Sequence, residues 1–206
     1  MAYRDNWYLE ILLGLFCGLR KGEIFALQFN DFNTDEHTLE INKQLVREGK
    51  VTSNPNCGYS IENYSLKTKN PKTQNSYRKL RIPKIILEEL EIRKEYIEKI
   101  KNNKNFIDNG YISCQANGRP HSLSALNQYL SKLCQRNGLP PITVHGLRHM
   151  FATILIEREV PIAKISGLLG HNSIHTTFEF YCEIMDENEK IKAFMNNNFI
   201  PKEESA

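Results

Sequence analysis

C-x-x-C pairs are missing from this chain of 206 residues, and its five cysteines (Cys17, Cys57, Cys114, Cys134 and Cys182) are odd in number and widely spaced. That pattern argues against a disulfide framework or a thiolate zinc site and for free thiols in a reducing compartment. Long apolar runs are missing as well. The stretch near residues 11–17 is short and lies between charged flanks. Neither a membrane span nor a signal peptide is therefore expected, and a cytoplasmic location is the default. No internal repeat or low-complexity domain is present. A strong charge imbalance is absent too: the net charge of +3 does not by itself announce a polyanion binder.

The distribution of charge says more. Residues 67–84 hold Lys67, Lys69, Lys72, Arg78, Lys79, Arg81 and Lys84 and no acid, whereas residues 183–206 hold six acids against three lysines. The first stretch suits a polyanion and the second does not. With 40% hydrophobic and 25% charged residues, the chain reads as one ordinary globular domain able to bury a substantial core.

The periodicities predict a fold that is mainly α with one small antiparallel β-sheet (α+β). Residues 6–17 read as a buried helix interrupted at Gly18, followed by a short helix over 21–27. Residues 38–42 alternate as a strand. Strands near 60–66 and 76–82 are expected to pair as a β-hairpin with a basic, mobile tip at 69–75. Pro83 starts a long helix to about residue 101, and Ser122 opens another that ends at Gly138. Thr143 is a candidate N-cap, after which Leu147, Phe151, Ile154 and Leu155 make an inward stripe. A short helix over 161–169 is closed by Gly170, and Thr176 or Thr177 is placed to cap a further helix.

Five polar residues stand out on this frame: Arg20, His145, Arg148, His171 and Tyr181. Two arginines, two histidines and a tyrosine suit metal-free cleavage of a phosphodiester, with arginines for the anion, a histidine for the proton and tyrosine as nucleophile. Each also has a bland reading. His145 and Arg148 share a helix face that one ligand can touch, or that is simply solvated. His149 lies about 40° from His145 around the helix and is its geometric rival. The His145-x-x-x-His149 spacing resembles a zinc-protease helix, but Gly146 stands where that motif needs its glutamate. Arg20 with Glu23 reads as a surface turn with a local ion pair, or as a turn projecting Arg20 into a pocket. Tyr181 alone reads as a core or interface tyrosine.

Taken in order, these segments resemble the catalytic domain of the tyrosine recombinases, the phage-integrase family. Gly18-Leu19-Arg20-Lys21-Gly22-Glu23 is similar to the family's first arginine box, and Pro71-Lys72-Thr73 with Arg78-Lys79-Leu80-Arg81-Ile82-Pro83 to its lysine hairpin. His145-Gly146-Leu147-Arg148-His149 is similar to its H-x-x-R box, and Leu168-Leu169-Gly170-His171 leading to Tyr181 to its closing segment. The resemblance implies a site-specific DNA recombinase acting through a 3′-phosphotyrosine, with no cofactor and no metal. It assigns catalytic roles to Arg20, Lys72, His145, Arg148, His171 and the nucleophile Tyr181, and a supporting role to Glu23. The expected DNA contacts are Lys67, Lys69, Arg78, Lys79 and Arg81.

Double-stranded DNA is the implied partner, with self-association into a tetramer on DNA in the full-length protein. Residues 1–200 are expected to form the catalytic domain and 201–206 a disordered tail. Only 19 residues precede Arg20, so the family's N-terminal core-binding and arm-binding domains are expected to be absent, as in an isolated or truncated catalytic domain. Glu183 stands where the family often has histidine. The alternatives are an inactive DNA-binding remnant of an integrase and a type IB topoisomerase-like enzyme.

Overall fold

The computed structural model describes residues 7–54, 58–70, 76–179 and 182. Helix α1 (Tyr8–Cys17) buries Leu9, Leu12, Leu13 and Cys17 and ends at Gly18, which takes the left-handed conformation (φ 60°, ψ 29°). Helix α2 (Lys21–Ala26) follows, then a 3-10 turn (Phe29–Asp31) and strands β1 (Phe32–Asn33) and β2 (Thr38–Ile41). Strands β3 (Gln44–Asn54), β4 (Gly58–Lys69) and β5 (Arg78–Arg81) precede helices α3 (Lys84–Lys101), α4 (Ala125–Arg136), α5 (Val144–Glu157) and α6 (Ile162–Leu169). A last described helix covers residues 174–179.

The strands pair differently from the sequence expectation. β4 pairs antiparallel with β3, from Gln44 opposite Lys69 to Asn54 opposite Gly58, with a register irregularity between Glu48 and Lys50. β5 joins a separate antiparallel sheet of order β1-β2-β5, with Thr38 opposite Arg81 and Ile41 opposite Arg78. The expected hairpin between 60–66 and 76–82 is therefore two halves of two different sheets. Residues 71–75, which hold the expected hairpin tip, lie outside the described residues.

α1 occupies the centre. Leu9 and Leu13 join Leu19, Ile24, Phe25, Leu39, Ile41, Ile86, Leu126 and Leu147 in one core cluster. A smaller cluster of Ala152, Ile156, Ile165 and Leu169 fastens α6 to α5. Ile154, expected to point inward, is exposed. The buried face of α5 is instead Leu147, Arg148, Ala152 and Ile156, because α5 packs against both α1 and α6. That rotation carries Arg148 inside. The architecture is the mainly helical α+β arrangement, with two small antiparallel sheets among the described residues in place of the one expected.

Candidate active site

Arg148 is the focus of the site. Thr143 Oγ1 accepts the Gly146 N–H at 3.1 Å, so α5 begins on the expected side-chain cap. One and a half turns later Arg148 enters the interior, only 4% exposed. Its Nη1 donates to the Gly18 carbonyl and its Nη2 to the Leu169 carbonyl, both at 2.7 Å. Gly18 can present that carbonyl because it has no Cβ. An added one would lie 2.6 Å from Phe151 Cδ1, at a φ that L side chains avoid.

The end of α6 gathers the other cations. Gly170 (φ 64°, ψ 47°) closes the helix; its N–H bonds Gly167 O and the His171 N–H bonds Ser166 O, both at 3.1 Å. This Schellman closure leaves the last carbonyls of the helix facing outward without backbone partners. Three consecutive ones each take a different arginine: Leu168 O from Arg78 Nε at 2.8 Å, Leu169 O from Arg148 Nη2, and Gly170 O from Arg20 Nη2 at 3.0 Å. The negative end of the helix dipole favours such cations. His171 leaves the chain from this fixed point.

Glu23 ties the arrangement together. Placed three residues after Arg20, its carboxylate accepts the Arg20 N–H at 2.8 Å and Arg20 Nη1 at 3.0 Å. It also accepts Arg78 Nη2 at 2.9 Å and Nη1 at 3.1 Å. Burial opposes its charge, but the Arg78 hydrogen bonds and charge, helped by Arg20, hold the carboxyl below the usual carboxylate range. Two guanidinium groups thus grip one carboxylate, whose charge also acts on the third, Arg148. Burial, with Arg20 next to it, pushes Arg148 down to about 9, still charged at neutral pH.

The three arginines differ in what they have left to give. Arg78 spends Nε, Nη1 and Nη2 on Leu168, Ser76 and Glu23, and its side chain is 6% exposed. Arg20 and Arg148 each bond the protein through two nitrogens. Of the five N–H donors of a guanidinium, each therefore has three with no partner among the described residues. The sequence grouped Arg78 with the DNA contacts. Its buried head, with four of five donors spent on the protein, suits it to bracing the site instead. The strand period offered a signal: Arg78 shares its face of β5 with the buried Leu80, while Lys79 and Arg81 face outward.

His145 is exposed and half-stacked on its rival: the His145 and His149 rings meet edge to face, with centroids 4.2 Å apart. Partial burial, then His149, Arg148 and Arg20, lower the His145 pKa. His171 is pushed down to about 4 by burial and by the charges of Arg148, Arg20 and Arg78. Both imidazoles are neutral at pH 7. His171 Nδ1 lies 2.7 Å from Thr177 Oγ1, a residue that sequence reasoning placed only as a helix cap. Ser173 takes the capping position, accepting the His175 N–H at 3.1 Å.

The remaining expected residues fall in two groups. Lys72 and Tyr181 lie outside the described residues, as does Cys57. Lys67 and Lys69 both pair with Glu48, at 2.8 and 2.5 Å, and Lys79 pairs with Glu36 at 2.5 Å. Those lysines are exposed, as is Arg81, and these are surface pairs of little energetic weight. Among the described residues no cluster of three or more His, Cys, Asp or Glu is placed to hold a metal ion, and no helix is long and apolar enough to cross a membrane.

Known proteins resemble this chain in sequence and in fold. The chain is 30% identical over 180 residues to a tyrosine recombinase XerC-like protein of Caldanaerobacter subterraneus, covering 84% of this chain and 44% of that protein. It is 30% identical over 175 residues to the ICEBs1 integrase of Bacillus subtilis, again covering 84% of this chain and 44% of the relative. The chain thus spans under half the length of these curated relatives. In fold it is similar to the Tn1549 transposon integrase solved in complex with transposon right end DNA (TM-score 0.64, 24% identity, 91% of this chain and 59% of that one). It is also similar to the XerA recombinase (TM-score 0.63, 19% identity, 98% of this chain and 61% of that one). Residues 1–188 match the phage integrase family, and the chain belongs to that family.

Proposed function

We propose that this chain is the DNA-breaking and rejoining part of a site-specific recombinase. The carrying observation is the meeting of Arg20, Arg148 and His171 at the end of α6, with more positive charge than Glu23 balances and with unspent donors on both arginines. A phosphodiester supplies the missing anion. Arg20 and Arg148 take its non-bridging oxygens and stabilise the added charge of the pentacoordinate transition state. Tyr181 attacks phosphorus to form a 3′-phosphotyrosine and releases a 5′-hydroxyl; the 5′-hydroxyl of a partner strand reverses the step.

A phenol with a pKa of about 10 must lose its proton in the attack. His145 accepts it, being neutral at pH 7 through burial and its cationic neighbours. His171 donates a hydrogen bond to the phosphate, and Lys72 protonates the leaving 5′-oxygen. Double-stranded DNA is the substrate, and Lys67, Lys69, Lys79 and Arg81 contact its backbone; the Tn1549 integrase, similar in fold, was solved in complex with transposon right end DNA. Self-association on DNA brings the exchanging strands together.

The test uses a nicked half-site duplex that traps the covalent complex, run on a denaturing gel with chelator present. Wild-type protein gives an adduct. Arg148→Ala loses on the order of 2–4 kcal/mol of transition-state stabilisation, as other oxyanion donors do. An adduct that appears only with added metal, or at full rate in Arg148→Ala, overturns the assignment.

A further inference from the structure

His171 is held from behind by one side chain. Thr177 is the fourth residue of the 174–179 helix and is 0% exposed. Its Oγ1 sits 2.7 Å from His171 Nδ1 and has no other partner among the described residues. Two proton arrangements fit that distance. If Nδ1 carried the hydrogen, the hydroxyl would accept it, and the hydroxyl's own proton would be buried with no acceptor. If the hydroxyl donates to the Nδ1 lone pair, every proton at the contact is used, and the hydrogen of the neutral ring must sit on Nε2.

A protonated ring, which would carry hydrogen on both nitrogens, is disfavoured at this place. Burial, with the charges of Arg148, Arg20, Arg78 and His145, holds the His171 pKa at about 4. The ring is therefore neutral in neutral solution, and its tautomer is decided by its Nδ1 contact.

We propose that Thr177 is a positioning residue whose hydroxyl locks His171 as the neutral Nε2–H tautomer. Resting on the function proposed above, this makes His171 a fixed hydrogen-bond donor to the phosphate. It also bars His171 from taking the Tyr181 proton through Nε2, because that nitrogen is already protonated. The proton then falls to His145.

The decisive experiment reads the ring directly. The full chain, labelled with 15N-histidine, gives long-range proton–nitrogen correlations at pH 7.5, with His171 assigned by its loss in His171→Gln. The wild type is expected to show a pyridine-type Nδ1 and a pyrrole-type Nε2. Thr177→Val, which keeps the shape and removes the hydroxyl, shifts the ring towards a mixture of tautomers, and Thr177→Ser restores the wild-type pattern. An Nδ1–H tautomer in the wild type overturns the proposal, as does an unchanged ring in Thr177→Val. If Thr177→Val does not fold, the wild-type and Thr177→Ser spectra decide between the two proton arrangements.

A second arm measures adduct formation on half-site DNA. Thr177→Val is expected to be slower by about 10–100-fold, by analogy with metal-ligating histidines that lose their orienting partner, while Thr177→Ser stays near wild type. Equal rates for all three reject the positioning role. If the wild type itself makes no adduct, the recombinase reading fails, while the spectra still decide the tautomer.

Discussion

Replacing Glu23 by glutamine removes the carboxylate that, among the described residues, pairs with Arg20 and Arg78, and changes almost nothing in shape. The carboxylate accepts four hydrogen bonds, from Arg20 N–H, Arg20 Nη1, Arg78 Nη1 and Arg78 Nη2. An amide can accept through its oxygen only, so its NH2 group must face a guanidinium donor. Arg20 is 39% exposed and solvent screens its part. Arg78 is buried and is left without a counter-charge. Removing one partner of a buried pair costs about 3–5 kcal/mol. At about 2–4 °C per kcal/mol for a chain of this size, Glu23→Gln should melt about 6–20 °C lower. Urea unfolding followed by the fluorescence of the single tryptophan, Trp7, should give a midpoint lowered to match.

The pH dependence carries a sign. The Glu23 carboxyl is lowered in the folded state, so its stabilisation is complete above the unfolded value of about 4.3 and is lost as pH falls through the lower folded value. The gap between wild type and Glu23→Gln should hold from pH 7 to 5 and close below about 4.3. Glu36→Gln, which breaks only the exposed pair with Lys79, should melt as the wild type does. Equal melting of Glu23→Gln and wild type, or a gap that widens in acid, would refute this account of the site.

Three other outcomes follow from the geometry. Sulfate or phosphate should raise the melting temperature beyond the effect of chloride at matched ionic strength, since bound anion stabilises by about 2.7 kcal/mol at 100 times its Kd; Arg148→Ala should erase the difference, and its persistence there would place the anion elsewhere. Gly18→Ala forces a Cβ to 2.6 Å from Phe151, whereas Gly138→Ala at φ +63° meets nothing within 4 Å. Gly138→Ala should therefore cost only the left-handed penalty of about 1–2 kcal/mol, with Gly18→Ala clearly worse in urea titrations; equal losses would contradict the contact. His171 titrates near about 4 when folded and near about 6.5 when unfolded. The unfolded chain binds more protons between those values, so stability falls as pH drops through that window, and His171→Gln should lessen the fall in thermal melts.

Much of the site was legible in the sequence because its residues stand beside local signals. Gly18 and Gly170 end helices, Thr143 begins one, and Arg20, Arg148 and His171 are each within a few residues of such a point. Strand pairing was not legible. The segment over 44–69 has too few apolar residues to mark a face, and the partner of β5 is β2, some forty positions back. Arg78 was within reach of the period-2 argument through Leu80, but its neighbours Lys79 and Arg81 made it look like part of a solvated run. Thr177 carries only the local mark of a candidate helix cap; its contact with His171 comes from the Gly170 turn folding His171 back onto the next helix.

In the proposed reaction Tyr181 becomes bonded to DNA phosphorus in a site organised by Arg20 and Arg148. The most direct measurement is protease digestion of the trapped half-site complex, followed by mass spectrometry of the nucleotide-bearing peptide. The expected product is a deoxynucleotide 3′-phosphate on Tyr181, formed with chelator present and absent from Tyr181→Phe. A modified residue other than Tyr181, or an undiminished adduct in Tyr181→Phe, would contradict it.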